Sequence, residues 1–420
     1  MFFELSINKP AAKAVLALVV SCLCAMLSYA IISNFIVSAL TDERANVSRD
    51  TLRSAVRYFP NSARLNARLA AASEMADAEA YALQAINLSP HNYTFHILLA
   101  TIKESNGEAQ AAEASLREAL RLAPNKTEAH WQLANLLLRT GKLGQAVSEF
   151  RVVCAANQKL LPVTLAIVWR ASGGKLEAVE AVTASDAKSK LALAGFLLKQ
   201  SRADDAANVF NQIERKARLA LPETSEFINA LAGSDRLELA RKLWVDLASD
   251  DGKERPFIWN GSFESDIVKG FAQFNWTIDR SDYAKIKISA GQAHSGSRAL
   301  RVDFTGRDTT RLTNEIRQLT VLNSGARYLL ECYAKAEKLV TTEGPRIAVT
   351  TRAGDLIAVS EPVDLAQTGW QQLAIEFTAP QIPDAFYVTV KRKSKFSYDE
   401  PTTGTVWFDD FTLTEVKQSR

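Results

Sequence analysis

The stretch Ala85-Ile86-Asn87-Leu88-Ser89-Pro90 returns 34 residues later as Ala119-Leu120-Arg121-Leu122-Ala123-Pro124, and this interval decides the fold of the first part of the chain. Ala78, Ala112 and Ala146 keep the same spacing of 34, as do Gly107 and Gly141. Further on, Ala206 and Ala240 repeat it, with Phe210 and Trp244 four residues after each. The pattern predicts units of two antiparallel helices whose apolar faces cannot be buried within one unit. Alanine at the crossing lets the two backbones approach, while Leu133 and Phe150 fill the space between units. Proline closes each unit because it lacks the amide donor and clashes with the preceding helical turn.

These residues resemble the tetratricopeptide-repeat family. The units 93–126 and 127–160 carry the pattern best, 59–92 has a shortened first helix, and a half-unit, Ala55 to Pro60, precedes it. Between 160 and 190 the register slips, with helices expected at Leu161–Arg170 and Lys175–Val182, and two degenerate units run from about Ser189 to Ala248. The resemblance implies a concave groove that holds an extended or helical segment of a protein partner.

Outward from the repeats, the N-terminal side carries no charge from Ala14 to Leu40, a run longer than the roughly 20 apolar residues that span a bilayer. Lys9 and Lys13 precede it, as in a signal anchor. A cleavable signal would have a shorter apolar region, so a retained transmembrane anchor is expected. Val19-Val20-Ser21-Cys22 resembles a bacterial lipobox that would lipidate Cys22, but Leu23 to Leu40 continues apolar. Lys9 and Lys13 favour a cytoplasmic N-terminus, while Arg44, Arg49, Arg53 and Arg57 weaken that signal.

On the C-terminal side the period changes after Asp250-Asp251-Gly252-Lys253-Glu254-Arg255-Pro256. Ala299–Phe304, Tyr328–Ala334, Leu373–Phe377 and Phe386–Val390 alternate as strands with one apolar face, punctuated by glycines, which implies an antiparallel sandwich. The region opens on Asn260-Gly261-Ser262-Phe263-Glu264, continues through Ser295-Gly296-Ser297 and Thr368-Gly369-Trp370, and closes on Trp407-Phe408-Asp409-Asp410-Phe411. In this order the motifs look like the galactose-binding-like jelly roll of carbohydrate-binding modules that include cellulose- and xylan-binding members, over about 257–416. That resemblance implies a structural calcium near Glu264 and Asp409, since calcium takes several oxygen ligands. The other reading of the two carboxylates is that they accept hydrogen bonds from loop backbone.

Sugar binding by such a module needs aromatic rings and planar polar groups on an exposed face. If Tyr328, Leu330 and Cys332 face the core, then Glu331, Tyr333 and Lys335 point outward; likewise Phe386, Val388 and Val390 point inward and leave Tyr387, Thr389 and Lys391 outward. Glu331, Tyr333, Arg346, Glu376, Tyr387 and Lys391 are therefore the carbohydrate-binding candidates, beside the alternative of a solvated sheet face. Trp276, Trp370 and Trp407 match positions that are often structural in the family.

The totals exclude more than they assign. A net charge of +3 over 420 residues gives no basic face for nucleic acid. Cys22, Cys24, Cys154 and Cys332 show no disulfide framework or metal-ligand spacing. His91, His96, His130 and His294 have no partner at a spacing that nominates a catalytic triad or metal site, and Gly173-Gly174-Lys175 departs from a phosphate loop. The expected organisation is a short tail (1–13), a transmembrane anchor (14–40), an all-α repeat solenoid (41–253) and an all-β jelly-roll sandwich (257–416). The expected function is a non-catalytic scaffold on the bacterial inner membrane, its body periplasmic, serving polysaccharide assembly or export. The alternative is a glycan-processing enzyme or its substrate-delivering subunit.

Overall fold

The computed structural model describes residues 10–42, 44–234, 236–249, 256–268, 270–381, 385–395 and 401–416. The predicted junction Asp250–Arg255 and the flanking Lys9 lie outside these residues. The chain forms two compact units, Met1–Ala184 and Ser185–Arg420. Among the described residues fifteen α-helices precede two antiparallel five-stranded sheets.

In the first unit, helix α1 (Pro10–Thr41) is long and apolar enough to cross a membrane, and the apolar window along it has no share buried against protein. Its last turns differ, because Val37 and Leu40 pack against Leu52, Leu65 and Leu69. Helix α2 (Arg49–Tyr58) overlaps the expected half-unit Ala55 to Pro60 and begins six residues before it. The pairs α3 (Ala63–Ala72) with α4 (Met75–Leu88), α5 (Tyr93–Ser105) with α6 (Ala109–Leu122), and α7 (Thr127–Arg139) with α8 (Leu143–Ala156) are the three units. The first helix of 59–92 is indeed short, 10 residues against 13 in α5 and α7. Ala78, Ala112 and Ala146 are all buried at the crossings. Gly107 and Gly141 turn between paired helices with φ of 80° and 77°, a region closed to most side chains. The two helices expected after the register slip are α9 (Leu161–Ala171) and α10 (Leu176–Val182).

Each unit ends with a feature that spacing alone does not disclose. A helix leaves its last carbonyls without intrahelical partners, and a proline just beyond cannot supply a donor. Six residues after each terminal proline, a side chain of the next helix reaches back to the proline carbonyl: Asn66 Nδ2 to Pro60 at 3.2 Å, His96 Nε2 to Pro90 at 3.2 Å, and His130 Nε2 to Pro124 at 2.8 Å. His130 is buried and its Nδ1 also meets Glu149 Oε2 at 2.6 Å. Two of the four histidines thus serve the repeat frame.

In the second unit, α11 (Ala187–Lys199) pairs with α12 (Ala203–Asn211), and α13 (Arg215–Ala220) leads to the pair α14 (Glu223–Gly233) and α15 (Leu237–Ala248). These degenerate repeats share one compact unit with the sandwich. Trp244, which the interval marks as a repeat residue, packs against Trp259, Phe271 and Phe274 with ring centroids 5.4, 5.6 and 5.8 Å away. Gln273 Nε2 donates to Ser225 Oγ at 2.6 Å across the same junction.

The sandwich has strands β1 (Trp276–Ile278), β2 (Ala284–Ala290), β3 (Arg298–Thr305), β4 (Ile316–Val321), β5 (Arg327–Val340), β6 (Arg346–Thr351), β7 (Leu356–Val359), β8 (Gln371–Thr378), β9 (Ala385–Lys391) and β10 (Thr403–Glu415). One sheet runs β1-β4-β9-β6-β7 and the other β2-β3-β10-β5-β8. Between them Tyr328, Leu330, Cys332, Phe386, Val388, Val390 and Phe408 are buried, as the alternation requires. The opening and closing motifs meet, with Phe411 N–H donating to the Gly261 carbonyl at 3.0 Å. A Cβ at Gly261 would collide with the Phe411 carbonyl oxygen, so only glycine fits this approach.

Removing the side chain at His130 leaves the Pro124 carbonyl and Glu149 without their partner, at a cost of about 1–3 kcal/mol. His130→Ala is expected to lower the urea midpoint of the helical transition followed by circular dichroism. His130→Asn, which installs the amide used at Asn66, is expected to recover part of that loss.

Candidate functional site

The six carbohydrate-binding candidates fall three and three on the two sheets. Glu331, Tyr333 and Glu376 lie on the outer face of β2-β3-β10-β5-β8, and Arg346, Tyr387 and Lys391 on the outer face of β1-β4-β9-β6-β7. They do not form one site. Alternation predicts which side of a strand a residue takes, but it cannot tell which of two packed sheets the strand joins.

On the first face the candidates are engaged internally. Glu331 accepts from Gln372 Nε2 at 2.6 Å, and Glu376 pairs with Arg327 at 2.8 Å. Tyr333 lies under the His294 ring, with centroids 3.6 Å apart and planes at 9°, and Trp370 meets the edge of the same imidazole at 5.6 Å. One ring face of Tyr333 is therefore covered. The sequence offers no signal for this contact, because His294 sits in a Gly/Ser loop far from strand β5.

That loop is held by the two calcium candidates. Glu264 Oε1 accepts the amides of Ser297 and Arg298, each at 2.7 Å, and its Oε2 accepts Ser297 Oγ–H at 2.8 Å. Asp409 Oδ2 accepts the amides of His294 at 2.7 Å and Ser295 at 3.2 Å, and Oδ1 accepts the Asp410 amide at 2.8 Å. Asp410 completes the clasp, meeting His294 Nδ1 and Ser295 Oγ at 2.7 Å each. Every partner here is an N–H or O–H donor, so these carboxylates act as hydrogen-bond acceptors for the loop. Among the described residues no group of three or more His, Cys, Asp or Glu side chains is placed to hold a metal.

The clasp carboxylates titrate in opposite directions. The Ser297 amide and hydroxyl and the Arg298 amide hold the Glu264 carboxyl below the usual glutamate range. Burial pushes the Asp409 carboxyl up, against the opposing pull of the His294, Asp410 and Ser295 amides.

The second face is half-buried and rich in cations. Strand register places Arg317 opposite Thr389, Tyr387 opposite Thr350, and Arg346 opposite Lys391. The Arg317 guanidinium stands 5.8 Å from the Tyr387 ring centroid, and its Nη1 reaches Asp279 at 2.6 Å. A cavity of about 330 Å³ opens beside them, lined by Asn314, Arg317, Thr350, Arg352 and Tyr387 among others. Of these only Tyr387 is legible as a candidate in the sequence. Strand β4, which brings Arg317, alternates too weakly around Gln318 and Thr320 to be read there. Both are buried polar residues whose side chains bond Trp259 and Phe257 of the opening segment.

In the first unit a second cavity of about 680 Å³ lies between the end of α1 and the first helices of two repeats, lined by Arg64, Arg68, Ala71, Tyr93 and Leu98 among others.

A lowered folded pKa contributes stability that is present above the unfolded value and lost as pH falls through the folded one; a raised folded pKa acts the other way. On acidification Ser297 and Arg298 are therefore expected to keep their amide protection until pH has passed below the ordinary glutamate midpoint. His294 and Ser295, held by a carboxyl whose pKa burial raises, are expected to keep or gain protection as pH falls through the ordinary aspartate range. Hydrogen exchange across 294–298 as a function of pH checks both; release of Ser297 and Arg298 above the ordinary glutamate midpoint would contradict the assignment.

Residues 103–159 match the family model for the tetratricopeptide repeat. The chain is 33% identical over 93 residues to "DnaJ homolog subfamily C member 3" of Homo sapiens and of Bos taurus, an overlap of 22% of this chain and 18% of each relative. The chain thus spans about a fifth of the length of these curated relatives. Among solved structures, a "CBM4" structure is similar at 19% identity and a TM-score of 0.28, covering 38% of this chain and 99% of that one. TmCBM61 in complex with β-1,4-galactotriose is similar at 18% identity and 0.25, covering 39% and 100%. MamA is similar at 12% identity and 0.26, covering 39% and 83%. The matched repeat lies within the helical part of the chain, and the all-β sandwich follows it.

Proposed function

We propose that the protein is a membrane-tethered, non-catalytic adaptor that holds a protein partner in its repeat groove and a glycan on its sandwich, within a bacterial polysaccharide assembly or export system. The observation that carries the tether is the contrast along α1. Side chains such as Val15, Leu18, Met26, Leu27 and Phe35 are exposed, whereas Val37 and Leu40 dock into the first repeats. An isolated helix of this length with apolar residues all round needs a hydrocarbon environment, and its docked end would hold the repeats close to the bilayer surface. The cavity beside α3 and α5 is where a segment of the partner protein is expected. The glycan is assigned to the sheet β1-β4-β9-β6-β7, because its outer face joins a half-buried aromatic, several polar planar groups and a cavity. Periplasmic placement of the body follows from the polysaccharide assignment and the two lysines before the span.

Full-length protein is expected to remain with membranes after alkaline carbonate extraction, with a C-terminal tag on the periplasmic side. Replacing Leu23 and Leu27 by arginine, each costing about 2.5–3.5 kcal/mol at mid-bilayer, is expected to release it. Extraction of the unmodified protein by carbonate would sink the tether. Hydrolysis or transfer of glycan by the purified protein, abolished by a carboxylate substitution, would favour an enzyme instead.

A further inference from the structure

The cavity on the sheet β1-β4-β9-β6-β7 carries a chemical selectivity. Its floor includes Thr350, fully buried although it points to the outer side, and Thr350 Oγ1 has no hydrogen-bond partner among the described residues. Most buried hydroxyls find a partner, so an unpaired one lining an open cavity points to a ligand that offers a hydroxyl or similar group. The charges point the same way. Asp279 is paired with Arg317, and Glu343 with Arg346. Glu315 Oε2 accepts the amides of Thr313 and Asn314 at 2.6 and 2.9 Å, and Asp355 accepts from Thr351 Oγ1 at 3.2 Å. Arg352 and Lys391, by contrast, have no ion-pair partner among the described residues. Lys391 is half-buried opposite Arg346, and desolvation depresses its pKa. A half-buried cation with no counter-charge among the described residues is stabilised by an anion from outside.

The two free cations stand at opposite ends of the face. Arg352 lies six residues along the β6 direction from Arg346, the register partner of Lys391. At ~3.4 Å per residue that is about 20 Å, longer than one sugar ring. Peptides that extend a sheet bind at its edge, where backbone donors and acceptors are free, and this is a face. We infer that the face binds an acidic polysaccharide, a chain bearing uronic-acid carboxylates, with Arg352 and Lys391 as its charge contacts and Thr350 as a hydroxyl contact. This rests on the glycan reading of the sandwich and adds the class of glycan.

The experiment is affinity electrophoresis of the full-length protein, in detergent, against polygalacturonate, the same polymer after carboxyl reduction, and polyglutamate. Binding to polygalacturonate is expected to weaken as ionic strength rises, and carboxyl reduction is expected to weaken it about tenfold or more. Arg352→Gln and Lys391→Gln are each expected to weaken it about tenfold, while Lys391→Arg retains it. Thr350→Val, which removes the hydroxyl at nearly constant volume, is expected to weaken binding several-fold without lowering the melting temperature. Lys287→Gln, which removes an exposed charge from the opposite sheet, is expected to change nothing. Equal binding of the carboxyl-reduced polymer would overturn the acidic assignment while leaving the glycan reading standing. Equal binding of polyglutamate would overturn the saccharide assignment of this face. Binding of no polymer would overturn both.

Discussion

A proline two residues past a helix end presents a carbonyl outside the helical ladder, and the repeat units share one way of engaging it. Asn66, His96 and His130 answer it at the same offset from Pro60, Pro90 and Pro124. Each bond ties the end of one unit to the first helix of the next, so unit-to-unit geometry is fixed by a polar contact as well as by apolar filling. The alanines at the crossings supply closeness within a unit, and the proline carbonyl bonds supply order between units. Where the pattern degenerates after Ala156, no proline closes α8, α10 or α12, and among α9 to α13 only α11 keeps 13 residues.

The sandwich applies the same rule to loops. Glu264 and Asp409 come from the two ends of the domain, and each spends one oxygen on the backbone of residues 294–298. The clasp closes the domain around its own termini, with Gly261 admitting Phe411 at the same place. It also carries His294 onto Tyr333, which covers one face of that ring and turns this sheet's outer surface inward upon itself. On the opposite sheet Tyr387 instead borders a cavity beside Arg317 and Arg352.

The arrangement along the chain gives the function its logic. A helix suited to a bilayer enters the first repeat directly, the repeats offer a groove, and the last helices merge with the sandwich through Trp244.

The sequence by itself determined the class and order of the domains, because periodicity is a local property. A 34-residue recurrence, an uncharged apolar run and a two-residue alternation each express how one segment meets its immediate surroundings. It also determined which side of each strand faces the core: Tyr328, Leu330, Cys332, Phe386, Val388 and Val390 are all inside. Only the tertiary structure decided how those strands are dealt between two sheets, and hence that Tyr333 and Tyr387 stand back to back rather than together. It likewise decided that His294 covers Tyr333, that Glu264 and Asp409 hold a loop, and that Arg317 and Thr350 join Tyr387 at a cavity. The physical reason is that these contacts join residues tens of positions apart, and strand pairing is set by the total burial and backbone bonding of the folded domain, which no single stretch of sequence contains.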